Sequence, residues 1–289
     1  MSEKYMKKCI ESNSDYSVYY GAGKYLIEEQ SALHYDINYT VSYFIHCSGN
    51  INIEGNTYPI KSGDVIITHP GEIHCCNIDD HTFHERISVC INKLILKNFM
   101  IDASELFDFF ENREKGFGNV IQAETAAVFR LGNLMEDIYE LSKNKSDKNR
   151  ILCICKITEL LVQLGNALSG NTLSSGASNN ENPMVSNAIK YINEHFTEDF
   201  NCEEIAEKLF ISKYRLEHIF KESLGISLWD YVIIKRLMLV NELMQKNYPV
   251  KEASYISGFH NYSNFYRLYK KHFHISPSEH KKMLNKSLF

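Results

Sequence analysis

The stretch that decides the fold of the C-terminal part of the chain is Asn201-Cys-Glu-Glu-Ile-Ala-Glu-Lys-Leu-Phe-Ile-Ser-Lys-Tyr-Arg-Leu-Glu-His-Ile-Phe-Lys221. Asn201 is suited to cap a helix, and Glu204 three residues later completes a start that resembles a capping box. Apolar residues follow at helical spacing, and Ser212 is placed to cap a second helix. The stretch therefore predicts two short helices joined by a tight turn.

The same arrangement recurs in Pro249-Val-Lys-Glu-Ala-Ser-Tyr-Ile-Ser-Gly-Phe-His-Asn-Tyr-Ser-Asn-Phe-Tyr-Arg-Leu-Tyr-Lys-Lys271. Gly258 can supply the positive φ of a turn, and Asn261 can cap the helix that follows. Between the two units, the apolar spacing from Leu228 to Asn247 predicts one long helix that holds them at a fixed separation. In each unit the second helix presents polar and cationic side chains, which is the helix-turn-helix plan for entering the major groove of DNA.

This part of the chain carries a resemblance to a known family. Residues from about Met184 to Lys282 resemble the DNA-binding domain of the AraC/XylS family of bacterial transcription regulators. Three departures are visible: Ala253-Ser254 replaces an Ile-Ala pair, Val240 replaces Ala, and His274 replaces Gly. We expect them to loosen the packing of the second unit. The positions that carry the resemblance are Ile205, Ala206, Ser212, Leu216, Phe220, Lys221, Gly225, Ser227, Tyr231, Arg236, Gly258, Phe259, Phe265, Arg267, Lys270, Ser276 and Pro277.

The resemblance implies which side chains touch DNA. Base contacts are expected from the second helix of each unit, and phosphate contacts from lysines toward the ends of those helices. A single pattern of this kind can describe two helices that merely pack together, but two units in tandem with a linking helix favour DNA binding. The implied contacts are Tyr214, Glu217, His218 and Lys221 in the first unit, and Tyr262, Ser263, Asn264, Tyr266, Arg267 and Lys270 in the second.

The length and charge of the chain are consistent with two domains. Its 289 residues can form two cores. Residues 183–289 hold 15 Lys and Arg against 12 Asp and Glu, a net charge of +3, whereas residues 1–182 have a net charge of −8. The basic surplus therefore lies where DNA is expected to bind. The first residues lack the apolar core of a signal peptide, and no apolar run approaches the roughly 20 residues of a transmembrane helix, so we expect a cytoplasmic protein without a membrane segment.

The N-terminal part of the chain has the pattern of a β domain. Residues 1–20 show no clear element, but from about Tyr25 to Ile91 short β-branched and aromatic runs alternate with turn signals, as in a sandwich or barrel. The run Gly63-Asp-Val-Ile-Ile-Thr-His-Pro-Gly-Glu-Ile-His74 resembles the second motif of the cupin barrel that precedes the DNA-binding domain in many AraC-family regulators. The expected fold class is α+β: a cupin or jelly-roll barrel with a helical hairpin, then an all-α domain with two helix-turn-helix units.

Four segments are expected along the chain. Residues 1–100 form a sensor barrel, 101–168 a helical hairpin, 169–183 a flexible linker rich in Ser, Asn and Gly, and 184–289 the double helix-turn-helix domain. After a short helix that starts at Asp102, apolar spacing predicts the hairpin in Glu124–Lys143 and Asn149–Leu168, with Val128 and Leu152 among its apolar positions. The hairpin is expected to cover one side of the barrel, to pair with the hairpin of a second subunit, or both.

The barrel is expected to hold a small molecule, because barrels of this size can enclose one ligand. Strand alternation puts His46 on the same face as Phe44, and His84 on the same face as Arg86. Metal binding is not expected, since the His-x-His and Glu of metal cupins are missing and too few imidazoles remain. By analogy with the arabinose-binding members of the family, the candidate ligand-binding residues are His34, His46, His74, His84 and Arg86, a set that suits a polyol.

The expected function is that of a sequence-specific transcription regulator. Its expected partners are double-stranded DNA and a small-molecule effector, for which a sugar is one candidate. The resemblance further implies a homodimer that activates transcription through RNA polymerase, with no catalytic residue and no cofactor. Other readings stay open: a cupin metalloenzyme attached to a DNA-binding module, a regulator controlled by a protein partner, or a barrel used only for dimerisation.

Overall fold

Two compact units make up the chain, residues 1–180 and residues 181–289. The computed structural model describes residues 6–24, 34–79, 82–93, 95–96, 104–169, 183–224, 226–273 and 275–286. The division falls within the stretch 169–183, whose composition predicts a linker, and most of that stretch lies outside the described residues. The first unit combines strands and helices, whereas the described part of the second is helical.

Antiparallel strands build two sheets in the first unit. They are β1 (Met6–Ser12), β2 (Tyr16–Lys24), β3 (Tyr39–His46), β4 (Ser48–Ile53), β5 (Asn56–Lys61), β6 (Val65–Thr68), β7 (His74–Ile78), β8 (Phe83–Ile91) and β9 (Val120–Ile121). The larger sheet has the order β1-β2-β8-β3-β6-β9, and the smaller sheet has the order β5-β4-β7. The α+β class and the barrel-like N-terminal domain predicted from the sequence are confirmed.

Alternation along the strands of the larger sheet separates two apolar clusters. One face, with Val41, Ile87 and Val89, packs against the helices of the unit. The other face, with Phe44 and Ile66, meets apolar side chains of the smaller sheet. The space between the two sheets is the interior of the barrel.

The first 24 residues contain two strands that the sequence does not predict. Strand β2 runs antiparallel to β8 over nine residue pairs, from Tyr16 opposite Ile91 to Lys24 opposite Phe83. The expectation that residues 1–20 form no clear element is therefore wrong. Polar residues and repeated tyrosines conceal a period-2 pattern in which Tyr16 and Val18 are buried.

The helices of the first unit pack on the outer face of the larger sheet. After a 3-10 turn at Ser104–Phe107 come α1 (Asp108–Glu111), α2 (Ala123–Val128), α3 (Leu131–Ser142) and α4 (Asp147–Ser169). The predicted helix 124–143 is thus interrupted, because Arg130 takes a left-handed conformation with φ +55°. Val128 at this break is 76% exposed and Leu152 is also exposed, so neither joins the predicted buried stripe. The predicted start of a helix at Asp102 lies outside the described residues.

Helix α4 is apolar enough to correct one sequence expectation. Within the described part of the chain it is long and apolar enough, by length and composition, to cross a membrane. Lys156 and Glu159 interrupt its apolar run, which is why the sequence showed no such segment. In the structure Ile157, Leu160 and Leu164 of this helix are fully buried in the core beside the larger sheet. Helix α4 is therefore a core helix of the first unit.

A buried ion pair ties the segment after α1 to the barrel. Arg113 donates two hydrogen bonds to the carboxylate of Glu72, with Nη1 2.8 Å from Oε1 and Nη2 2.5 Å from Oε2. The same carboxylate accepts from the backbone N–H of His69 at 2.6 Å and of Gly116 at 2.8 Å. Burial alone would raise the pKa of Glu72, but these partners hold that pKa below its usual value. Glu72 therefore stays charged inside the unit.

The second unit follows the predicted order of helices. They are α5 (Pro183–His195), α6 (Cys202–Lys208), α7 (Lys213–Leu224), α8 (Leu228–Gln245), α9 (Val250–Ile256), α10 (Tyr262–Phe273) and α11 (Pro277–Lys286). Helices α6 and α7 form the first helix-turn-helix unit, α9 and α10 form the second, and α8 is the long helix between them. Gly225 and His274, two positions of the sequence pattern, lie outside the described residues.

The described departures from the family pattern are buried in the second unit. Ala253 and Val240 are fully buried in the core of the second helix-turn-helix unit. Ser254 is also fully buried, and its hydroxyl donates to the carbonyl of Lys251 at 2.7 Å. A small polar side chain is accepted here because its hydroxyl is hydrogen-bonded within the helix. The expected loosening of the second unit is not seen at these positions.

Candidate DNA interface and effector pocket

The first helix-turn-helix unit is held by local caps. The side chain of Asn201 accepts from the N–H of Glu204 at 3.0 Å and donates to its carboxylate at 2.9 Å, so Asn201 is the predicted cap of α6. Ser212 accepts from the N–H of Arg215 at 3.3 Å and so begins α7. Leu216 and Phe220 bury the inner face of α7 completely. The opposite face of this helix is left to the solvent.

The outer face of α7 carries the predicted DNA contacts of the first unit. Tyr214, Glu217, His218 and Lys221 are all exposed, and Tyr214 is 78% exposed. His218 pairs with Glu222 one turn later at 3.1 Å and lies 6.2 Å from the ring of Tyr214. These side chains form one polar and aromatic surface on a helix of the diameter that the major groove admits.

Helix α10 presents the corresponding surface of the second unit. Asn261 accepts from the N–H of Asn264 at 2.9 Å, so it is the predicted cap. Arg267 donates to the side chain of Asn264 at 3.0 Å, which couples two candidate base contacts. Tyr262 differs from the other predicted contacts, because it is half-buried and its ring lies 5.5 Å from that of Phe265. The exposed members of the predicted set are Ser263, Asn264, Tyr266, Arg267 and Lys270.

In the first unit, one end of the barrel interior holds two of the predicted ligand-binding histidines. His34 and His74 exchange backbone hydrogen bonds of 3.0 and 2.8 Å, and their rings lie 4.3 Å apart. Asp36 lies 3.8 Å from Nε2 of His74. Burial alone would raise the pKa of Asp36, but the two imidazoles hold that pKa below its usual value. The three side chains therefore form a compact group of two imidazoles and a carboxylate.

Two further predicted residues lie along the inner side of β8. His84 is fully buried, and its ring lies 5.4 Å from that of Phe44. Burial and the nearby charge of Arg86 lower the pKa of His84 to about 3, so its imidazole is neutral at physiological pH. Arg86 donates to the sulfur of Cys76 in the opposite sheet at 3.7 Å. The predicted pairing of His84 and Arg86 on one face is in agreement with this arrangement.

His46 lies apart from the other candidate ligand-binding residues. It is exposed, and its Nδ1 lies 2.8 Å from the carboxylate of Glu85, which also accepts from Tyr20 at 2.6 Å. A bulge causes the change of face: Phe44 lies opposite Arg86, whereas His46 lies opposite Glu85, so one residue of β3 is skipped. The expectation that His46 and Phe44 share a face is therefore wrong.

Several pocket residues were not found from the sequence. The hydroxyls of Ser42 and Ser88 are 2.8 Å apart across neighbouring strands. Tyr19 lies opposite Ser88 in the sheet, and Nζ of Lys7 lies 4.9 Å from the centre of the Tyr19 ring. In the sequence, Lys7 and Tyr19 are marked only by the alternation of side chains along β1 and β2. Asp36 is marked only by its position two residues after His34. Together they give the pocket hydroxyl, phenol, amine and carboxylate groups.

A metal site would need several of these side chains to converge on one point. Within the ranges that the structure describes, no group of three or more His, Cys, Asp or Glu side chains is placed to hold a metal ion. The possible ligands that lie together are His34, His74 and Asp36, with 4.3 Å between the two ring centres and 3.8 Å between Nε2 of His74 and the carboxylate of Asp36.

Comparisons with known proteins agree with both halves of the chain. Residues 25–161 match the family model described as the AraC-like ligand binding domain, and residues 205–283 match a helix-turn-helix domain. The first match covers the barrel from the residues after β2 to most of α4, and the second covers nearly all of both helix-turn-helix units. The two matches include the five candidate ligand-binding residues and the candidate DNA contacts predicted from the sequence.

Curated relatives and solved structures match different shares of the chain. The HTH-type transcriptional activator RhaS of Salmonella dublin is 24% identical over 246 residues, which are 81% of this chain and 81% of that protein. The probable transcription factor PqrA of Proteus vulgaris is 29% identical over 99 residues, 33% of this chain and 81% of that protein. A solved structure of ToxT from Vibrio cholerae is 14% identical and covers 95% of this chain and 99% of that chain, with a TM-score of 0.40. With its ligand-binding and helix-turn-helix domains in this order, the chain belongs to the AraC family of transcription regulators.

Proposed function

We propose that this protein is a cytoplasmic transcription activator that binds a specific DNA site and is controlled by a small effector in the barrel. The observation that carries the proposal is the pair of capped helices α7 and α10, each with a buried inner face and an exposed polar outer face within one compact unit. The base contacts are Tyr214, Glu217, His218, Ser263, Asn264, Tyr266 and Arg267, with a partial contribution from Tyr262, and the phosphate contacts are Lys221 and Lys270.

The effector is a small hydroxyl-rich molecule such as a sugar or a sugar acid. Support comes from the polar groups inside the barrel. His34, His74 and Asp36 lie at one end, Arg86 lies farther along β8, and Ser42 and Ser88 lie between these two places. Donors and acceptors of this density suit several hydroxyl groups on one ligand. The effector controls transcription only if its affinity differs between two arrangements of the protein, because equal affinity shifts no equilibrium.

The active species is a homodimer that contacts RNA polymerase. Residues 1–100 serve as the sensor, 101–168 as the dimerisation hairpin, 169–183 as the linker and 184–289 as the DNA-binding domain. Support for pairing through the hairpin comes from α4, whose outer face exposes Ile151 and Val162. The double variant Ile151→Glu/Val162→Glu should sediment as a monomer, whereas Glu159→Gln on the same face should sediment like the native chain. A native chain that sediments as a monomer would contradict this part of the proposal.

The barrel binds its effector without catalysing a reaction. Support comes from the relatives, which are described as transcriptional activators. A metal-dependent enzyme would instead turn over a substrate and lose that activity with a chelator. A regulator controlled by a protein partner would show no stabilisation by any metabolite.

Two experiments on the full chain test the proposal. The first selects binding sites from a library of random 40-base-pair duplexes, and enrichment of one sequence is expected. The second measures the melting temperature of the chain with sugars, sugar acids and common metabolites, because a ligand that binds the folded state raises it. A stabilising compound should then change the affinity for the selected duplex. Failure to enrich any sequence would refute specific DNA binding.

A further inference from the structure

Phe210 occupies a backbone position that its counterpart fills with glycine. Phe210 ends the first helix of the first unit with φ +56°, and Gly258 ends the first helix of the second unit with φ +85°. The hydrogen bonds establish the equivalence. The N–H of Phe210 donates to the carbonyl of Glu207 at 3.1 Å, and the N–H of Gly258 donates to the carbonyl of Tyr255 at 3.0 Å. In each unit the N–H of the following residue donates to the carbonyl five positions earlier, at 3.0 Å. The two turns therefore have the same backbone conformation and hydrogen bonds, with Phe210 in one and Gly258 in the other.

Phenylalanine is a poor choice for this turn on conformational grounds. A left-handed backbone is disfavoured for residues with a Cβ, and bulky side chains adopt it only rarely. Glycine accepts it at little cost, as Gly258 does. The conformational cost of a phenylalanine in this position is offset only if its side chain makes a favourable contact.

The folded chain supplies no such compensation. The side chain of Phe210 is 94% exposed, the largest exposed fraction among the large apolar side chains that the structure describes. Burying such a ring within the unit would have offset the backbone strain. The ring instead projects into solvent beside the start of α7, where Tyr214 is 78% exposed.

The chain around Phe210 has the position and the positive charge of a DNA-contacting segment. The amino-terminal end of a recognition helix is the end that reaches base edges, and Phe210 precedes that end by three residues. The stretch from Lys208 to Arg215 contains three cationic residues and no acidic one. Lys213 is paired with Glu203 at 2.7 Å, and the ammonium group of Lys208 lies 4.2 Å from the centre of the Tyr191 ring. Arg215 is exposed beside the turn.

We propose that Phe210 is a DNA contact of the first helix-turn-helix unit, whose ring packs on an apolar surface of the duplex. Two such surfaces lie within reach of a groove-facing ring: the C5-methyl group of a thymine in the major groove and the adjoining deoxyribose. Contact with the methyl group makes Phe210 a determinant of sequence, and contact with the sugar makes it a determinant of affinity alone. The inference rests on the proposed function, because it requires a specific DNA site.

The test compares variants that remove strain with variants that keep the apolar contact. Phe210→Gly and Phe210→Asn both tolerate positive φ, and both lack the ring. We expect their melting temperatures to equal or exceed that of the native chain, while affinity for the duplex selected by the native chain falls about 5- to 10-fold. Phe210→Leu keeps an apolar side chain and should retain part of the affinity. The full chain is used throughout, with fluorescence anisotropy as the binding assay.

Deoxyuridine scanning of the same duplex distinguishes the two apolar surfaces. Deoxyuridine lacks only the methyl group of thymidine, so one substitution should weaken the native chain but leave Phe210→Gly unchanged if the ring touches that methyl. Equal sensitivity of the two proteins at every position, with the affinity loss still present, would assign the contact to the sugar.

The inference is overturned if Phe210→Gly binds the selected duplex within twofold of the native chain. A variant that binds normally but activates transcription poorly would place the ring against a protein and would equally overturn it. If the native chain selects no sequence at all, the proposed function fails first and the inference fails with it, which separates the two failures.

Discussion

The guanidinium group of Arg236 donates a 2.7 Å hydrogen bond to the carbonyl oxygen of Gly258, the residue that turns the chain between α9 and α10. Its other nitrogens donate to the carbonyls of Phe196 at 2.6 Å and Glu198 at 2.9 Å, just before the first helix-turn-helix unit begins. One side chain of α8 thus ties the entry of the first unit to the turn of the second. The long helix therefore fixes the two DNA-binding units through hydrogen bonds as well as packing.

Replacing Gly258 with alanine should destabilise the second unit. A Cβ at this position would lie 2.7 Å from the carbonyl oxygen of Thr197 and 3.0 Å from Nε of Arg236, on a backbone with φ +85°. Both the contact and the positive φ are unfavourable, and we expect a loss of about 1–3 kcal/mol. Differential scanning calorimetry of the full chain should show a lower melting temperature.

Gly165→Ala is the matched control for this substitution. Among the described residues, its Cβ would meet only Phe109 of α1, at 3.7 Å, which is an ordinary contact. Alanine is favoured over glycine in a helix by about 0.5–1 kcal/mol, so this variant should not lose stability. If Gly258→Ala melts at or above the native temperature, Gly258 is not needed for the turn.

The helical unit could be predicted closely because its signals are local. Each cap joins residues three positions apart: Asn201 with Glu204, Ser212 with Arg215, and Asn261 with Asn264. The apolar spacing of α7 and α10 then fixes which face is buried, without reference to distant residues. Phe210 escaped notice because helical spacing does not reveal which residue must adopt a positive φ.

The barrel was predicted less completely because its contacts join distant residues. A strand pattern assumes an unbroken register, so the bulge between Phe44 and His46 reversed the predicted face of His46. Glu72 and Arg113 are 41 residues apart, and no sequence pattern marks their pairing. The left-handed Arg130 likewise broke a predicted helix and exposed Val128.

Arg267→Ala should weaken binding to the selected duplex and relax one base position. Arg267 is exposed on α10, and its guanidinium is oriented by Asn264 at 3.0 Å. A paired Arg contact to a base is worth about 1–3 kcal/mol of discrimination. Anisotropy titrations with the selected duplex and with single-base variants should show the loss at one position.

Lys246→Ala serves as the charge-matched control, because Lys246 is exposed at the end of α8 and paired with Glu242 at 2.6 Å. It should bind the selected duplex like the native chain. An equal loss by Arg267→Ala on every sequence would mean that Arg267 touches phosphate.

The Glu72–Arg113 pair should make the stability of the first unit depend on acid pH. Because the folded state lowers the pKa of Glu72 below its ordinary value of 4.5, the pair contributes fully above that pH. The contribution disappears as the pH falls through the lower folded pKa. Arg113→Met, which leaves a buried carboxylate without its partner, should lose about 3–5 kcal/mol at pH 7.

Thermal unfolding of the native chain and of Arg113→Met between pH 3 and pH 7 measures this dependence. The difference between the two melting temperatures should be greatest at neutral pH and should shrink below about pH 4.5. Glu124→Gln removes an exposed pair with Lys61 and should change little at any pH. A constant difference across the range would show that Arg113 acts through packing.

His34→Ala should weaken the response to the effector by up to about tenfold in apparent affinity, whereas His46→Ala should preserve it. His34 lies within the pocket, 4.3 Å from the ring of His74, while His46 lies on the outer side and pairs with Glu85. Loss of one hydrogen bond to a bound ligand is worth about 0.5–1.5 kcal/mol, or up to about tenfold in affinity. The measurement is the rise in melting temperature with the most stabilising compound of the metabolite screen, at concentrations spanning its Kd. If both variants respond like the native chain, the effector binds elsewhere; if His46→Ala alone loses the response, the outer face of the sheet is the binding site.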